Sequence, residues 1–311
     1  MSILLRASPA EFAALRDSAS ERLGVASEAI EKDYWATEVL RSACAHDHGV
    51  DAVVFKGGTS LSKAYQLIER FSEDIDLLVV TGASGNALKR TLRAIAAGVT
   101  NDIGVAHGRE REGRGYLNAQ FEYTGKQDAP FLTSGVLLEM GSRGGPTPNE
   151  VHAVRSLMSD AAAEIDPSAL DEFVDLTSFE VTVLAPERTL AEKLAFLHHR
   201  ATVGDLDALR RGSRHLYDVA ALVRSERVRQ ALADGQMASL MTDVDERSRL
   251  AGWPSTARPE GGFGTSVAFN PSSEILDAFR LGFVDLSDLV WGELPDVDDA
   301  IEMIRSHASR L

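Results

Sequence analysis

The sequence predicts an α/β (α+β) protein in which a domain built on a short mixed sheet precedes a helical domain. Short β-branched and aromatic runs alternate with helically spaced apolar residues in the first part of the chain. After Pro186 nearly every apolar run has helical spacing. A chain of 311 residues is long enough for two domains of ordinary size. We therefore place the first domain at residues 1–185 and the second at residues 186–311.

The elements of the first domain follow from changes in the apolar spacing. Between residues 8 and 46 apolar residues recur every three to four positions, which predicts packing helices. Strands are predicted at 53–55, 75–80, 117–123, 135–140 and 177–184, and helices at 61–68 and 87–99. The segment that contains Arg109, Arg111 and Arg114 is predicted to be a glycine-rich loop.

The second domain is predicted to be helical throughout. Leucine, valine and alanine recur with helical spacing in four segments. These are residues 190–199, 215–223, 228–241 and 271–289. A linker rich in glycine, proline and serine is expected at 252–264, and only residues 267–269 have the composition of an extended segment.

Composition and charge narrow the class of protein. No run of about 18 or more apolar residues is present, so we expect a soluble protein that does not span a membrane. The single cysteine, Cys44, excludes an internal disulfide and a cysteine-based zinc cluster, which fits a cytoplasmic location. The formal net charge of −15 argues against a protein that coats nucleic acid through bulk electrostatics.

One stretch of the chain is nevertheless basic. Residues 188–215 contain six lysines and arginines against three acidic residues, a local balance of +3. Such a stretch could contact the phosphates of RNA, or it could be a solvated helix face. If RNA is a substrate, we expect this stretch to face it.

A glycine turn is the first of two motifs that together predict a functional site. Gly57 and Gly58 follow a predicted strand and precede a predicted helix. Glycine lets the backbone approach a phosphate closely, and the following helix start directs N–H groups at the same anion. Thr59 and Ser60 add hydroxyl donors. The turn is therefore predicted to bind the phosphates of a nucleotide.

An Asp-x-Asp pair is the second of these motifs, and it predicts a metal site. Asp74 and Asp76 are two positions apart on a predicted strand, so both side chains project from one face. Adjacent carboxylates repel each other unless a cation lies between them, and Mg²⁺ is the expected cation because it prefers oxygen ligands and substrate phosphates. The alternative is an ordinary glycine turn followed by an exposed acidic strand end. Glu73 alternates to the other face, where we expect it to be solvated or paired with Arg70.

Four segments of the sequence resemble a known family. They are EKDY at 31–34, GGTS at 57–60, RFSEDIDL at 70–77 and TLAEKL at 189–194. The glycine turn, helix and Asp-x-Asp strand look like the signature of the DNA polymerase β-like nucleotidyltransferase fold, and the whole set resembles the AbiEii/MenT-type toxin nucleotidyltransferases. The resemblance implies a bacterial toxin that transfers a nucleotide from a nucleoside triphosphate (NTP) to an RNA acceptor, in studied relatives the tRNA 3′ end. It also implies a separate antitoxin protein that opposes the toxin.

The resemblance extends to further site residues. A nucleotidyl-transfer site usually holds two Mg²⁺ ions with a third carboxylate, for which Glu139 on an otherwise apolar predicted strand is the candidate. The alternative for Glu139 is a strand-end glutamate that reaches solvent. Lys63 and Ser72 belong to the predicted nucleotide-binding set together with the glycine turn. Ser72 precedes Asp74 by two residues and should share its face, where phosphorylation would repel the triphosphate. The alternative for Ser72 is a hydroxyl that caps a turn or binds a phosphate.

The later motifs of the family point to Lys193 and Asp218. Lys193 lies on a predicted helix with an apolar face, so its stem could pack while its ammonium group neutralises the leaving pyrophosphate. Asp218 could orient Lys193. The alternatives are a plain surface lysine and, for Asp218, a helix ion pair with Arg214 at the i, i+4 spacing.

The predicted reaction is attack by an acceptor hydroxyl on the α-phosphate of an NTP, with pyrophosphate leaving. Two other functions remain open from the sequence. One is an enzyme of the same fold that modifies a small molecule or a protein. The other is a non-catalytic interaction module, which fits the acidic composition but not the retained aspartates and the complete glycine turn.

Overall fold

The computed structural model describes residues 3–125, 129, 132–307 and 310–311. The chain forms two compact units, which we call unit 1 and unit 2. Unit 1 comprises Met1–Ala64, Phe71–Ser142 and Asn149–Val183. Unit 2 comprises Tyr65–Arg70, Arg143–Pro148 and Leu184–Leu311. The predicted division between residues 185 and 186 stays a prediction.

A seven-stranded sheet forms the centre of unit 1. Its strands in chain order are β1 (Ala52–Lys56), β2 (Asp74–Val80), β3 (Ala106–Gly113), β4 (Tyr116–Glu122), β5 (Val136–Gly141), β6 (Asn149–Val154) and β7 (Phe179–Leu184). Across the sheet they are arranged β3-β4-β5-β2-β1-β7-β6. Strand β2 is antiparallel to β1 and parallel to β5, and β1 is parallel to β7, so the sheet is mixed.

The helices of unit 1 pack against this sheet or against one another. They are α1 (Pro9–Leu23), α2 (Ser27–Ala45), α3 (Gly57–Lys63), α4 (Gly85–Ile103), α5 (Leu157–Ile165) and α6 (Ser168–Glu172). Helix α2 contacts β2 and β5, and α4 contacts β4. On β2 and β5 the alternate residues Ile75, Leu77, Leu138 and Met140 are fully buried. Burial of such side chains, at roughly 25 cal/mol per Å² of apolar surface, is the main stabilising contribution to this layer.

The other face of the sheet carries a line of polar side chains, which we call the polar row. Lys56 on β1 is opposite Asp76 on β2, Asp76 is opposite Glu139 on β5, and Glu139 is opposite Asn118 on β4. Residues paired directly across strands project from the same face. All four are partly exposed, whereas their neighbours along β2, β4 and β5 are buried. This open face therefore presents the predicted acidic residues to solvent.

Unit 2 consists mainly of helices in its described residues. They are α7 (Pro186–Thr202), α8 (Leu206–Arg211), α9 (Ser213–Arg224), α10 (Glu226–Ala233), α11 (Gln236–Ala251), α12 (Ser273–Leu286) and α13 (Val297–Ser306). Helix α7 packs against α9 and α11 and buries Leu190, Leu194 and Leu197. In the described part of the chain, no helix combines the length and the apolar character that a membrane span requires.

The predicted fold class is confirmed by the mixed sheet and the helical second half. The predicted loop around Arg109 and Arg111 is wrong, because both residues lie on β3. Most of β3 is exposed, so its sequence has no apolar alternation to reveal a strand. Strand β6 escaped prediction for the same reason.

Three predictions of helix or strand extent are also corrected. The predicted helix at 228–241 is two helices, α10 and α11, because Gly235 between them has a left-handed φ of 74°. The helix that follows the glycine turn ends earlier than predicted, at Lys63. Residues 267–269 form turns rather than an extended segment.

Candidate active site

The turn between β1 and α3 brings the backbone against Asp76. Gly57 has a φ of 80°, in the left-handed region that glycine adopts without strain. A Cβ atom added at Gly57 would overlap Asp76 Oδ2 and lie 2.9 Å from Asp76 Cγ. Gly58 follows as a buried residue of α3. Glycine is therefore required at position 57 both for the backbone conformation and for the close approach of the carboxylate.

The two hydroxyls of the turn bind backbone oxygens within the site. Thr59 donates from Oγ1 to the Asp74 carbonyl at 2.6 Å, and Ser60 donates from Oγ to the Gly57 carbonyl at 2.9 Å. A hydroxyl has one hydrogen to donate. The Thr59 bond fixes the turn against β2, whereas the Ser60 bond lies within the turn itself. The predicted contacts of both hydroxyls with phosphate stay a prediction. Ser72 lies just before β2, so the strand alternation that predicted its direction does not apply to it.

The predicted acidic residues share the open face of the sheet. Asp74 and Asp76 are two positions apart on β2, and Asp76 is directly beside Glu139 on β5. Asn118 donates from Nδ2 to Glu139 Oε1. Among the described residues, no group of three or more acidic, histidine or cysteine side chains is placed so as to hold a metal ion. Mg²⁺ is usually bound through one or two carboxylates while substrate phosphates and water complete its shell, so the aspartate pair fits such an ion. Glu139 as a metal ligand stays a prediction.

Glu73, next to this pair, is bound by a buried lysine. Lys32 is 1% exposed, and its Nζ lies 2.6 Å from Glu73 Oε1 and 2.6 Å from the Thr133 carbonyl. The backbone N–H of Thr133 donates to the same Glu73 oxygen at 2.6 Å. The prediction that Glu73 is solvated or paired with Arg70 is therefore wrong. A buried ion pair persists only when further hydrogen bonds complete it, as Thr133 does here, and this one fixes the residue before Asp74.

Lys63 takes part in a second buried ion pair of unit 1. Its Nζ lies 2.6 Å from Asp33 Oδ1 and 3.4 Å from the Arg155 carbonyl. Asp33 also accepts a hydrogen bond from the Leu157 N–H at 2.7 Å. These contacts join α3 to α2 and to the start of α5. The predicted role of Lys63 in nucleotide binding stays a prediction.

A second set of predicted residues comes together in unit 2, in what we call the Asp218 cluster: Arg70, Lys193, His215 and Asp218. Arg70 donates from Nε to Asp218 Oδ1 at 2.7 Å and from Nη2 to Asp218 Oδ2 at 2.8 Å. Lys193 Nζ lies 2.8 Å from Asp218 Oδ2 and 3.0 Å from His215 Nδ1. The contact predicted between Asp218 and Lys193 is present. Sequence reasoning missed Arg70 and His215, although both lie within segments that it singled out.

Burial and charge set the protonation of this cluster. Burial alone would raise the pKa of Asp218, but Arg70 and Lys193 outweigh it and hold that pKa well below its usual range. Burial lowers the pKa of Lys193 against the opposing attraction of Asp218. Burial also lowers the pKa of His215 well below its usual range, and the charge of Lys193 lowers it further. At neutral pH His215 is therefore neutral, and Nδ1 can accept a hydrogen bond from Lys193.

A glycine turn held against an aspartate pair, on adjoining strands of a mixed sheet, defines the class of protein as a nucleotidyltransferase. The chain belongs to the AbiEii family, because the model of the family described as "Nucleotidyl transferase AbiEii toxin, Type IV TA system" matches residues 38–301. No curated protein sequence matches this chain.

The fold is similar to that of a solved toxin. MenT4, a nucleotidyltransferase toxin from Mycobacterium tuberculosis H37Rv, superposes with a TM-score of 0.50 at 18% sequence identity. The match covers 95% of this chain and 88% of that one. At this identity the likeness shows the fold.

Membership of the family gives the activity in general terms. The chain is a nucleotidyltransferase toxin of a type IV toxin–antitoxin system, so its substrate is an NTP and its partner is an antitoxin. Nucleotidyltransferases of this kind use a divalent metal. The predicted family and the predicted enzyme class are both confirmed.

Proposed function

We propose that this chain transfers a nucleoside monophosphate from an NTP to the 3′-terminal hydroxyl of an RNA, with tRNA as the acceptor. The observation that carries the proposal is the contact between the Gly57 turn and the Asp76 carboxylate. It brings a backbone suited to phosphate beside oxygen atoms suited to a metal. Family membership supports the NTP as donor. The choice of RNA as acceptor rests on the resemblance of the motifs and on exposed arginines of unit 2.

The proposed metal is Mg²⁺, held by Asp74 and Asp76, with Glu139 contributing to a second Mg²⁺. The two aspartates are partly exposed on one strand face, as an ion that also binds substrate requires. When bound, Mg²⁺ supplies charge neutralisation for the triphosphate and makes the acceptor hydroxyl easier to deprotonate. The remaining functions belong to the side chains of the protein.

In the proposed reaction the acceptor oxygen forms a bond to the α-phosphorus while the bond from that phosphorus to the bridging oxygen breaks. Pyrophosphate leaves with the electron pair of the broken bond. Glu139 accepts the hydroxyl proton, directly or through water, because it is a partly exposed carboxylate directly beside Asp76. Lys193 neutralises the charge that develops on pyrophosphate, and Asp218 and His215 hold its ammonium group in place.

The basic stretch at 188–215 offers fewer exposed cations for RNA than its sequence suggests. Arg210 lies 2.9 Å from Asp285, and Arg200 lies 2.9 Å from Asp205. Arg188 is almost fully buried. Arg211 is exposed, and we assign a contact with RNA phosphates to this residue.

The test is a transfer assay with purified protein, total tRNA, Mg²⁺ and each α-³²P-labelled NTP in turn. Wild-type protein should label tRNA with at least one NTP. The Asp74→Ala, Asp76→Ala variant should give no label above background. The matched control is Asp171→Ala, an exposed aspartate on α6 of the same unit, which should label tRNA as the wild type does.

The outcomes separate the acceptors. Label on tRNA that depends on Asp74 and Asp76 supports the proposal and identifies the base of the NTP. The absence of label with every NTP would contradict the tRNA acceptor, and the same assay with small-molecule and protein acceptors would then identify the substrate.

A further inference from the structure

A cavity of about 330 Å³ lies in unit 2 beside α7 and α11, and we call it the α7–α11 cavity. Its volume falls within the range of small-molecule sites, about 300–1,000 Å³. None of its lining residues is assigned above to the transfer reaction. The lining includes aromatic surfaces, arginines, and acidic and hydroxyl side chains.

The aromatic surfaces come from Trp253 and Phe196. Trp253 is 43% exposed, which is unusual for so large an apolar side chain. Its backbone position is fixed, because Gly252 ends α11 with a left-handed φ of 67° and the Trp253 N–H donates to the Ser248 carbonyl at 3.0 Å. An indole face held in this way is a surface on which a nucleobase can stack.

The arginines of the lining are Arg188, Arg200 and Arg247. Arg188 is held by Asp243 at 2.6 Å and by the Thr147 carbonyl at 3.0 Å. In the described part of the chain, the buried Nε atoms of Arg188 and Arg200 donate no hydrogen bond. Glu192 Oε1 lies 3.5 Å from Arg188 Nε, beyond the usual hydrogen-bond distance. The Arg247 side chain is 40% exposed, with Nε 2.8 Å from Asp243 Oδ2 and Nη1 3.1 Å from the Gly144 carbonyl. It gives the cavity an accessible guanidinium group that is suited to an anionic group.

Acidic and hydroxyl side chains complete the lining. They are Glu192, Asp245, Ser248, Ser255 and Thr256. Carboxylate and hydroxyl oxygens accept hydrogen bonds from base N–H and ribose O–H groups. A site for free phosphate would gain nothing from two carboxylates, since they repel the anion. The combination therefore favours a ligand that carries both an anionic group and polar hydrogens on a flat ring.

The wall of the cavity continues into the Asp218 cluster. The Arg200 guanidinium carbon lies 5.4 Å from the Phe196 ring centroid. The His215 ring centroid lies 4.8 Å from the same ring, and His215 Nδ1 is bonded to Lys193. A Cβ atom at Gly212 would lie 2.8 Å from Phe196 Cε1, so glycine there makes room for the ring. One aromatic ring thus joins the cavity to the proposed pyrophosphate-binding lysine.

We propose that the α7–α11 cavity is a nucleotide-binding subsite that takes one nucleotide unit, its base against Trp253 and Phe196 and its phosphate at Arg247. The proposal rests on the proposed function and deepens it by adding a second nucleotide contact to unit 2. The nucleotide comes either from the RNA acceptor or from a free mononucleotide. Both sources share the chemistry of a base joined to a phosphate.

The test measures binding to the full chain in EDTA, a condition that removes divalent metal from the Asp74 and Asp76 site. The probes with a base are the four nucleoside 5′-monophosphates and a short single-stranded oligoribonucleotide. The probes without a base are ribose 5-phosphate and inorganic phosphate. Base-bearing probes should bind, and Trp253→Ala and Arg247→Ala should each raise their Kd about tenfold. Both side chains are partly exposed, so both variants should fold.

Matched controls are available for both substitutions. Trp291→Ala removes an exposed tryptophan outside the cavity, and Arg249→Ala removes an exposed arginine of α11 that does not line it. Neither should change the Kd. Tighter binding of the oligoribonucleotide than of any mononucleotide identifies the RNA acceptor as the source, and equal binding identifies a free nucleotide.

The subsite is contradicted if probes without a base bind as tightly as nucleotides, or if Trp253→Ala and Arg247→Ala bind like the wild type. The tRNA-labelling assay on the same proteins separates this result from a failure of the proposed function. If the protein labels tRNA but Trp253→Ala binds nucleotides as the wild type does, the subsite is refuted and the proposed reaction stands. If nucleotide binding depends on Trp253 but the protein does not label tRNA, the subsite stands and tRNA is refuted as the acceptor.

Discussion

Asp218 accepts two hydrogen bonds from Arg70, a residue 148 positions earlier in the chain, and it is completely buried. The two parallel bonds of a guanidinium fork fix the plane of the carboxylate as well as its position. One Asp218 oxygen also lies 2.8 Å from Lys193 Nζ. Arg70 therefore acts as a positioning residue for the carboxylate that holds Lys193.

We expect the Asp218→Asn substitution to destabilise the protein by about 3–5 kcal/mol, because it leaves Arg70 and Lys193 buried without a counter-charge. Urea unfolding of the purified variant measures the change in the free energy of unfolding. Asp234→Asn, at an exposed position of the same unit, is the control and should change it by less than about 0.5 kcal/mol. A loss below about 1 kcal/mol for Asp218→Asn would show that the cluster tolerates its uncompensated charge.

The Gly57→Ala substitution should reduce nucleotidyl transfer about 100-fold, because the added Cβ displaces the Asp76 carboxylate. Gly104→Ala is a matched control, since Gly104 also has a left-handed φ, 72°, but a Cβ there has no atom within 4 Å. Both variants should lose about 1–2 kcal/mol of stability from backbone strain. Initial rates of label incorporation and thermal melting measure the two effects. Equal transfer rates for the two variants would refute the importance of the close approach.

The stability of the protein should fall as the pH drops below about 6.5, in part through His215. Its pKa is lowered in the folded state, so the unfolded chain binds the proton first and acid favours unfolding. The destabilisation caused by His215 is absent above the pKa of the unfolded chain. It grows by up to about 1.4 kcal/mol per pH unit as the pH falls toward the pKa of the folded state.

The substitution His215→Asn tests this pH dependence. Asparagine retains an oxygen that can accept from Lys193, but it does not titrate in this range. Urea unfolding at a series of pH values should therefore show a shallower loss of stability for His215→Asn than for the wild type. His107→Asn, at an exposed position of β3, should follow the wild type. Parallel curves for His215→Asn and the wild type would exclude His215 as the source.

Arg211→Ala should weaken RNA binding and reduce the slope of log affinity against log salt concentration by about 1, as expected for the loss of one phosphate contact. Arg210→Ala should have a smaller effect, because its guanidinium already binds Asp285 through two hydrogen bonds. Filter binding of tRNA at several salt concentrations provides the measurement. Neither variant should alter NTP affinity, and an unchanged tRNA affinity in Arg211→Ala would remove this residue from the RNA contact.

The sequence predicted those elements whose burial is periodic. Strand β2 alternates between buried and partly exposed positions in its first half, so its boundaries were nearly recovered. Strand β3 was missed because neither of its faces is consistently buried, and its pairing with β4 depends on backbone hydrogen bonds that leave no mark on composition. The break at Gly235 was missed because a glycine is also tolerated inside a helix at modest cost.

The predicted site was recovered where neighbours in the chain are neighbours in space. Asp74 and Asp76 follow from strand alternation alone. Ion pairs between distant segments leave no such periodicity. Lys32 and Glu73 are 41 positions apart in the sequence. From the sequence alone, the nearby Arg70 is the natural partner to assume for Glu73. Only the folded structure shows that Arg70 is already bound to Asp218.

The polar row also protects the sheet against mispairing. If β2 slipped by one residue against β5, Asp76 would turn toward the helices and Ile75 would be exposed, because side chains alternate along the strand. The same slip in β5 would bury Glu139 and expose Leu138. Burying carboxylates without partners is costly enough to make such a slipped sheet uncompetitive with the native one. The carboxylates proposed to take part in the reaction therefore also specify the register of the strands during folding. Neutralising them would allow the chain to form a wider range of misfolded states.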